Sequence, residues 1–486
     1  MASGAGMLSL RRWSVRHAGA MEHLYRWFAA AAPRLRRGVA WIGRERADRW
    51  LRPIERATKG LFFDCHMCGQ CALSASGMAC PMNCPKHHRN GPCGGVAPDG
   101  GCEVDPGMRC VWLEALDGAA RMKDGSAIAH VQAPVDHKLA GASTWVPLIV
   151  HGEPPPRPEP APRAPRTGGG VLERALHAGK FTVTAEISPP DSADPDDLLR
   201  RAAVLRGLIH AVNVTDAAGA HCHMSSLAAS ALLAGNGHAP VFQIACRDRN
   251  RIAIQGDIVG AAALGVQNLL CVTGDHVASG DHPEARPVFD LDSVSLLEIA
   301  RGLRDRGTYA SGRKLTTRPD FFLGATANPF APPFADRVAN LEKKIAAGAQ
   351  FVQTQYCFDL ALLEAFMLEV RKRGLHRRCR ILIGAGPVTS ARTARWMAAH
   401  VPGVRIPEET IRRMERAADP KREGVRICVE LIRALREMEG VAGVHLMAHR
   451  REDLVAEILA ESGLPIISAG NMGEAGQKAV AAVKGK

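Results

Sequence analysis

The stretch 240–275, PVFQIACRDRNRIAIQGDIVGAAALGVQNLLCVTGD, decides the fold. It opens on an apolar β-rich run at 240–246, turns through charged residues, continues with helical periodicity over 251–263 and closes on a second β-rich run at 266–274. Strand, helix and strand in that order signal a parallel sheet covered by helices. Outward from this unit, further β-rich runs lie at 181–188, 210–216, 321–327, 351–358, 380–387 and 441–448. Helical segments separate them at 196–208, 225–233, 294–304, 335–347 and 360–373. Eight strand and helix units over about 300 residues match the size and count of an α/β (β/α)8 TIM barrel.

In such a barrel the chemistry sits on the loops that follow the C-terminal strand ends. Those positions carry Glu186, then Thr215 with Asp216, Arg247 with Asp248, and Gly274 with Asp275. The later strands supply Asn328, Gln355, the turn 384–386, and His449 with Arg450 and Arg451. Strand ends are often polar simply because they meet water. Glu186 and Gln355, however, lie within or directly beside apolar strand residues, where an unpaired polar group is costly. Polar residues converging from most strands place a site at this rim.

The 486 residues are 46% hydrophobic and 23% charged, which is the composition of a globular protein. No apolar run is long enough to cross a bilayer, so a soluble, cytoplasmic protein without a transmembrane segment is expected. The run at 152–170, GEPPPRPEPAPRAPRTGGG, is too rich in proline for a helix interior or a central strand and reads as a linker. The organisation expected is a basic helical lead-in (1–60), a cysteine-rich metal-binding module (61–150), the linker (151–170) and the barrel (171–475). The formal net charge of +13 is concentrated in the lead-in, where twelve arginines from Arg11 to Arg56 interleave with Trp13, Trp27, Trp41 and Trp50. A basic helical segment docked on the next module accounts for this pattern; an amphipathic helical pair or a transit peptide are the alternatives. Nucleic-acid binding ranks low, because the aromatics sit on no recognised nucleic-acid fold.

Eight of the 14 cysteines lie between Cys65 and Cys110, spaced Cys65-x2-Cys68-x2-Cys71-x8-Cys80-x3-Cys84-x8-Cys93-x8-Cys102-x7-Cys110. A disulfide framework belongs to short secreted chains, whereas this cluster is joined to a large domain with isolated cysteines and no signal peptide. A reducing compartment and a metal site follow. The tight triplet followed by Cys-Pro has the spacing of iron–sulfur ligands, and tetrahedral zinc is served by similar sets. Eight thiolates suffice for two four-ligand sites, with His66, His87 or His88 able to replace a cysteine; the spacing does not pair them.

From 171 to about 470 the chain resembles the methylenetetrahydrofolate reductase family. The resemblance is carried by TAEISPP around Glu186, VNVTD ending at Asp216, LLCVTGDH around Asp275, NLEKKIAAGA from Asn340, FVQTQYCFD around Gln355 and GVHLMAHRR with Arg451. It implies a flavin across the C-terminal mouth of the barrel, FAD in preference to FMN, with the pterin of 5,10-methylenetetrahydrofolate stacked on it. By similarity Glu186 is the general acid that opens the methylene bridge, which requires a raised pKa that burial beside apolar residues would provide. Asp275 matches the carboxylate that orients the pterin beside the flavin, Gln355 the side chain on the pterin edge, and Arg451 an arginine for the glutamyl tail. Thr215, Asp216, Thr273, Gly274, Asp275, Asn340 and Lys344 fall on flavin-contact positions, with Asn340 and Lys344 one helical turn apart. The chain departs from the pattern at Asn328 in TANPF and at Thr273, where many members have an aromatic residue and an arginine.

The cysteine-rich stretch (FFDCHMCGQCALSASGMACPMNCPKHHRNGPCGG) is similar to the small zinc or iron–sulfur subunit that accompanies bacterial reductases of this family. That likeness implies a [4Fe-4S] cluster relaying electrons to the flavin from a partner protein, or zinc holding the module together. The electron source is NAD(P)H or an electron-donor protein; the family binds the nicotinamide in the folate mouth, so the lack of a GxGxxG motif does not exclude it. A homo-oligomer, or a complex with a redox partner, is expected. The rival reading is a non-catalytic scaffold that binds folate or a corrinoid protein, against which Glu186, Asp275 and Gln355 argue, since a scaffold has no use for a buried acid.

Overall fold

The structure, a computed structural model, describes residues 4–152, 169–464 and 467. The linker expected at 151–170 lies almost wholly outside the described residues, as does the end of the barrel segment beyond 467. The described residues fall into two compact units, one drawn from 1–160 with 290–295 and the other from 161–289 with 296–486.

The second unit is the expected barrel. Its strands are β1 (Thr182–Ile187), β2 (Ala211–Val214), β3 (Pro240–Ala245), β4 (Asn268–Val272), β5 (Phe322–Ala327), β6 (Phe351–Tyr356), β7 (Arg380–Ala385) and β8 (Val441–Leu446). All are parallel and closed in sequence order, with β1 pairing β8. Each apolar run of the sequence becomes one strand, shortened at one or both ends where the chain turns into a loop. The helix Arg251–Ala263 follows β3 as expected, started by Asn250, whose side chain accepts from the amides of Ile252 and Ala253. Ser225 and Asp359 start the helices Ser226–Gly235 and Leu360–Lys372 in the same way.

Side chains alternate in and out along each strand, and lateral register extends one strand's parity to the next. Ala211, Val241, Leu270, Phe322, Phe351 and Leu382 form one buried cluster, into which Leu172 and Leu176 pack from the helix Val171–His177. Gly324 pairs with Phe351, and a Cβ there would come within 2.3 Å of the Phe351 ring, so a glycine is required for the ring to fill the barrel. Phe351→Ala is expected to destabilise the barrel by about 3–5 kcal/mol, read as a lowered urea midpoint; a midpoint equal to wild type would show that this layer does not hold the barrel together.

In the first unit the helices Gly4–Arg16, Ala18–Ala31, Arg36–Ile42 and Arg44–Phe63 precede the cysteine loops, which hold only short turns such as Leu73–Ala75 and Pro81–Asn83. Buried polar groups tie these helices to the segment that follows the cysteine loops. Arg11 meets Glu114 at 3.0 Å with both side chains buried. The fully buried Glu55 carboxylate takes Lys59 at 2.6 Å and the Ser143 and Thr144 hydroxyls at 2.5 Å each. Such pairs are costly to break singly, because the survivor is left as an unpaired buried charge.

Candidate functional site

The parity that faces the core cluster near the strand starts places a polar layer above it. Thr184 pairs laterally with Ala211, and Glu186 with Asn213, so both β1 side chains point to the barrel interior. Gln353, two residues beyond Phe351, and His445, paired with Thr184, have the same parity. These residues connect. The Gln353 side-chain amide donates to the Thr184 hydroxyl at 3.1 Å, that hydroxyl lies 3.0 Å from His445 Nδ1, and His445 Nε2 stands 3.7 Å from the Glu186 carboxylate. With the Thr184 hydroxyl donating to Nδ1, the imidazole proton sits on Nε2 and faces Glu186, an assignment made from the hydrogen bonding. His445 is buried, whereas the Glu186 side chain is 24% exposed at the mouth, less enclosed than the sequence implied. Tyr356 donates to the Met447 carbonyl at 2.8 Å, and burial together with the Glu186 charge pushes its pKa upward, so it stays a neutral donor.

The loops add the remaining groups. After β2, Thr215 is buried with its hydroxyl unpartnered, a polar atom that a ligand would satisfy. Asp216 is committed elsewhere. Its carboxylate accepts from the Ala245 amide at 2.8 Å, Ser226 at 2.9 Å and Arg249 at 2.6 Å, and so ties the end of β2 to the end of β3. Arg247 is buried, forks onto Asp248 at 2.8 Å and reaches the Ala217 carbonyl at 3.1 Å. After β4, Thr273 and Gly274 are half-buried, and Gly274 has φ +92° with the Ala245 and Arg247 side chains crowding its Cβ position, so a side chain there would be both strained and crowded. Asp275 is exposed and accepts from the Gly219 amide at 2.8 Å.

Lys344, on the helix Arg337–Ala347, is buried rather than a solvated helix cation, and its ammonium donates to the Thr326 carbonyl on β5 at 2.6 Å. Asn340 is half-buried one turn earlier. Gln355, half-buried at the end of β6, accepts from the Tyr356 amide at 2.9 Å and donates to the Pro402 carbonyl at 3.2 Å. Arg451 forks onto Asp453 at 2.9 and 2.6 Å.

Glu186, Thr215, Gly274, Asp275, Gln355 and Arg451 thus stand at the same end of the barrel, the C-terminal mouth. Asp216 and Arg451 hold partners of their own. The interior polar chain of Thr184, Gln353 and His445 escaped the sequence reading, although each carries a legible signal: a polar residue at inward parity in an otherwise apolar run, as in GVHLM.

In the first unit the eight cysteines separate into two quartets. Cys65, Cys68, Cys71 and Cys80 line a cavity of about 370 Å³, and Cys84, Cys93, Cys102 and Cys110 line another of about 360 Å³, both figures including space open to solvent. Among the described residues no group of three or more Cys, His, Asp or Glu side chains has the geometry of a metal-ion site. The Met67 amide donates to Cys65 Sγ at 3.3 Å, and the amides of Met82 and Lys86 likewise donate to Cys80 and Cys84. Hydrogen bonding to Cys80 lowers the Cys65 thiol to about 6, while burial pushes Cys84 up to about 12. The His66 and His87 side chains line neither cavity.

The family model for methylenetetrahydrofolate reductase matches residues 171–463, and a model described as methylene-tetrahydrofolate reductase C terminal matches 45–138. A Caenorhabditis elegans protein described as a probable methylenetetrahydrofolate reductase (NADPH) is 25% identical over 249 residues, which is 49% of this chain and 34% of that protein. The chain therefore spans about a third of the length of this curated relative. Among solved structures, an uncharacterized protein from Clostridium thermocellum that binds two copies of 5-methyl-5,6,7,8-tetrahydrofolic acid aligns at a TM-score of 0.44 and 14% identity, covering 60% of this chain and 98% of that one.

Proposed function

The chain belongs to the methylenetetrahydrofolate reductase family, and on that premise we propose that it reduces 5,10-methylenetetrahydrofolate to 5-methyltetrahydrofolate at the C-terminal mouth of its barrel. The observation that carries the reading is the inward-facing Glu186 carboxylate, backed by buried His445 and set among polar groups from five strand ends. Reduction requires cleavage of the N10–methylene bond, leaving an N5 iminium whose carbon accepts hydride. Glu186 donates the proton that N10 takes up as this bond breaks. His445, held by Thr184 and through it by Gln353, stands 3.7 Å from the Glu186 carboxyl group and positions it. Asp275 and Gln355 bind the pterin edge, and Arg451 takes the glutamyl carboxylate by exchanging Asp453 for it.

The mouth fits a flavin, FAD in preference to FMN. The unpartnered Thr215 hydroxyl, the half-buried Thr273 and Gly274, and Asn340 with Lys344 would hold it, while Asp216 supports that wall through its own contacts. The flavin, when bound, supplies the hydride, drawn from NAD(P)H or an electron-donor protein. The four thiolates lining each cavity suit one [4Fe-4S] cluster per quartet, with zinc as the alternative.

The test is an absorption spectrum with metal analysis on protein purified without oxygen, followed by a reductase assay. A flavin band, iron with a dithionite-bleached shoulder, and methyltetrahydrofolate formation are expected. Zinc without iron would overturn the cluster reading, and a preparation that binds no flavin even after reconstitution would overturn the reductase. His445→Ala is expected to lower kcat about 10-fold, as the Glu186 carboxyl group loses the buried side chain that positions it, with flavin content unchanged. His445→Asn, which keeps a donor, is expected to recover part of that loss; equal rates for both would remove His445 from the mechanism.

A further inference from the structure

The basic helices of the first unit carry an apolar surface that the reductase reading leaves unused. Of the 18 large hydrophobic side chains exposed among the described residues, eight fall between Trp13 and Leu61, including Trp27 (70% exposed), Trp41 (88%) and Trp50 (64%). Eleven of the twelve arginines between Arg11 and Arg56 are exposed. The acids there do little to neutralise them. Glu22 and Glu55 are buried as acceptors for other parts of the unit, Asp48 is half-buried against Arg52, and Glu45 alone is exposed.

The helix Arg44–Phe63 shows how the two features combine. Ala47 and Glu55 face inward. Trp50, Ile54 and Leu61, spaced four and seven residues apart, form an exposed apolar stripe on one side of that buried face. Arg46, Arg49, Arg52 and Arg56, all exposed, occupy the arc beside the stripe. A solvent-facing helix has no reason to display tryptophan, isoleucine and leucine in register beside a row of guanidinium groups.

We propose that this helical surface docks on an anionic lipid bilayer, with the indoles in the headgroup layer and the arginines on lipid phosphates. Indole rings favour that layer, being apolar with one N–H donor, and guanidinium forks match phosphate oxygens. No described helix is long and apolar enough to cross a membrane, so the surface lies on the bilayer and does not span it. The exposed tryptophans are shared among four helices, each with its own arginines. A fluid headgroup layer accommodates such scattered anchors, whereas a protein partner requires one contiguous complementary patch.

The experiment uses the full chain in flotation with vesicles of phosphatidylcholine alone or mixed with phosphatidylglycerol, alongside tryptophan emission. Binding to the mixed vesicles, weakened by salt and accompanied by a blue shift, is expected. Arg46→Gln with Arg49→Gln lowers the partition coefficient about 30-fold, equivalent to roughly 1 kcal/mol per arginine near an anionic surface. Trp41→Ser with Trp50→Ser lowers it at unchanged charge and abolishes most of the blue shift. Flotation independent of phosphatidylglycerol, or binding to polyuridylate as tight as to the mixed vesicles, would overturn the proposal. So would a self-associated chain that Trp41→Ser with Trp50→Ser dissociates while vesicle binding is absent, because the surface would then belong to a second copy.

Discussion

Glu186→Gln is expected to lower the rate of methylenetetrahydrofolate reduction by about 100- to 10,000-fold, the range ascribed to a positioned general acid. The substitution keeps the size of the side chain and its place on β1, so barrel stability and flavin content are expected to stay at wild-type levels. The two half-reactions separate the roles. Reduction of the bound flavin by its electron donor needs no proton on N10 and is expected to persist, while oxidation of that flavin by the folate is lost. Equal loss in both halves would show that Glu186 shapes the mouth instead of donating the proton. Unchanged folate turnover would move the acid to another group, and the exposed Asp275 is the next carboxylate at this rim.

Cys68→Ser and Cys102→Ser are expected to remove different metal centres. Each side chain lines its own cavity, so each variant should retain about half of the wild-type iron, the content of one four-thiolate cluster, and the double variant almost none. Complete loss of iron from either single variant would show one centre shared between the quartets. Stability should follow metal content closely. Residues 64–110 hold only short turns, and in such a segment the free energy of metal binding is largely the free energy of folding. Removal of metal by a chelator is therefore expected to melt the first unit while the barrel, built on its own closed sheet, keeps its transition.

Both results bear on how a polar residue acquires a role. Glu186 and His445 are at opposite ends of the barrel sequence, and Thr184 and His445 hydrogen-bond across 261 residues. The buried side chain beside the Glu186 carboxyl group, His445, comes from β8 and is held by Thr184 of β1, which in turn accepts from Gln353 of β6. The quartets pose the same issue at shorter range. Cys71 and Cys80 share a cavity, but Cys80 and Cys84, closer in sequence, do not.

The sequence by itself determined the eight strands, their order, the intervening helices and the mouth residues, because periodicities of two and 3.6 residues and the turn signals between them are local properties of a chain. It also pointed to the eight clustered cysteines as candidate metal ligands. Only the tertiary structure decided which groups meet. Lateral register put His445 beside Thr184 and Glu186, loop closure gave Asp216 to Arg249 and Ser226, the helix after β5 turned Lys344 inward onto Thr326, and the fold of the turns sorted the cysteines by fours. Such partners are distant along the chain, and a side chain's burial and hydrogen bonds depend on what the closed barrel and packed loops bring against it, which no local pattern records.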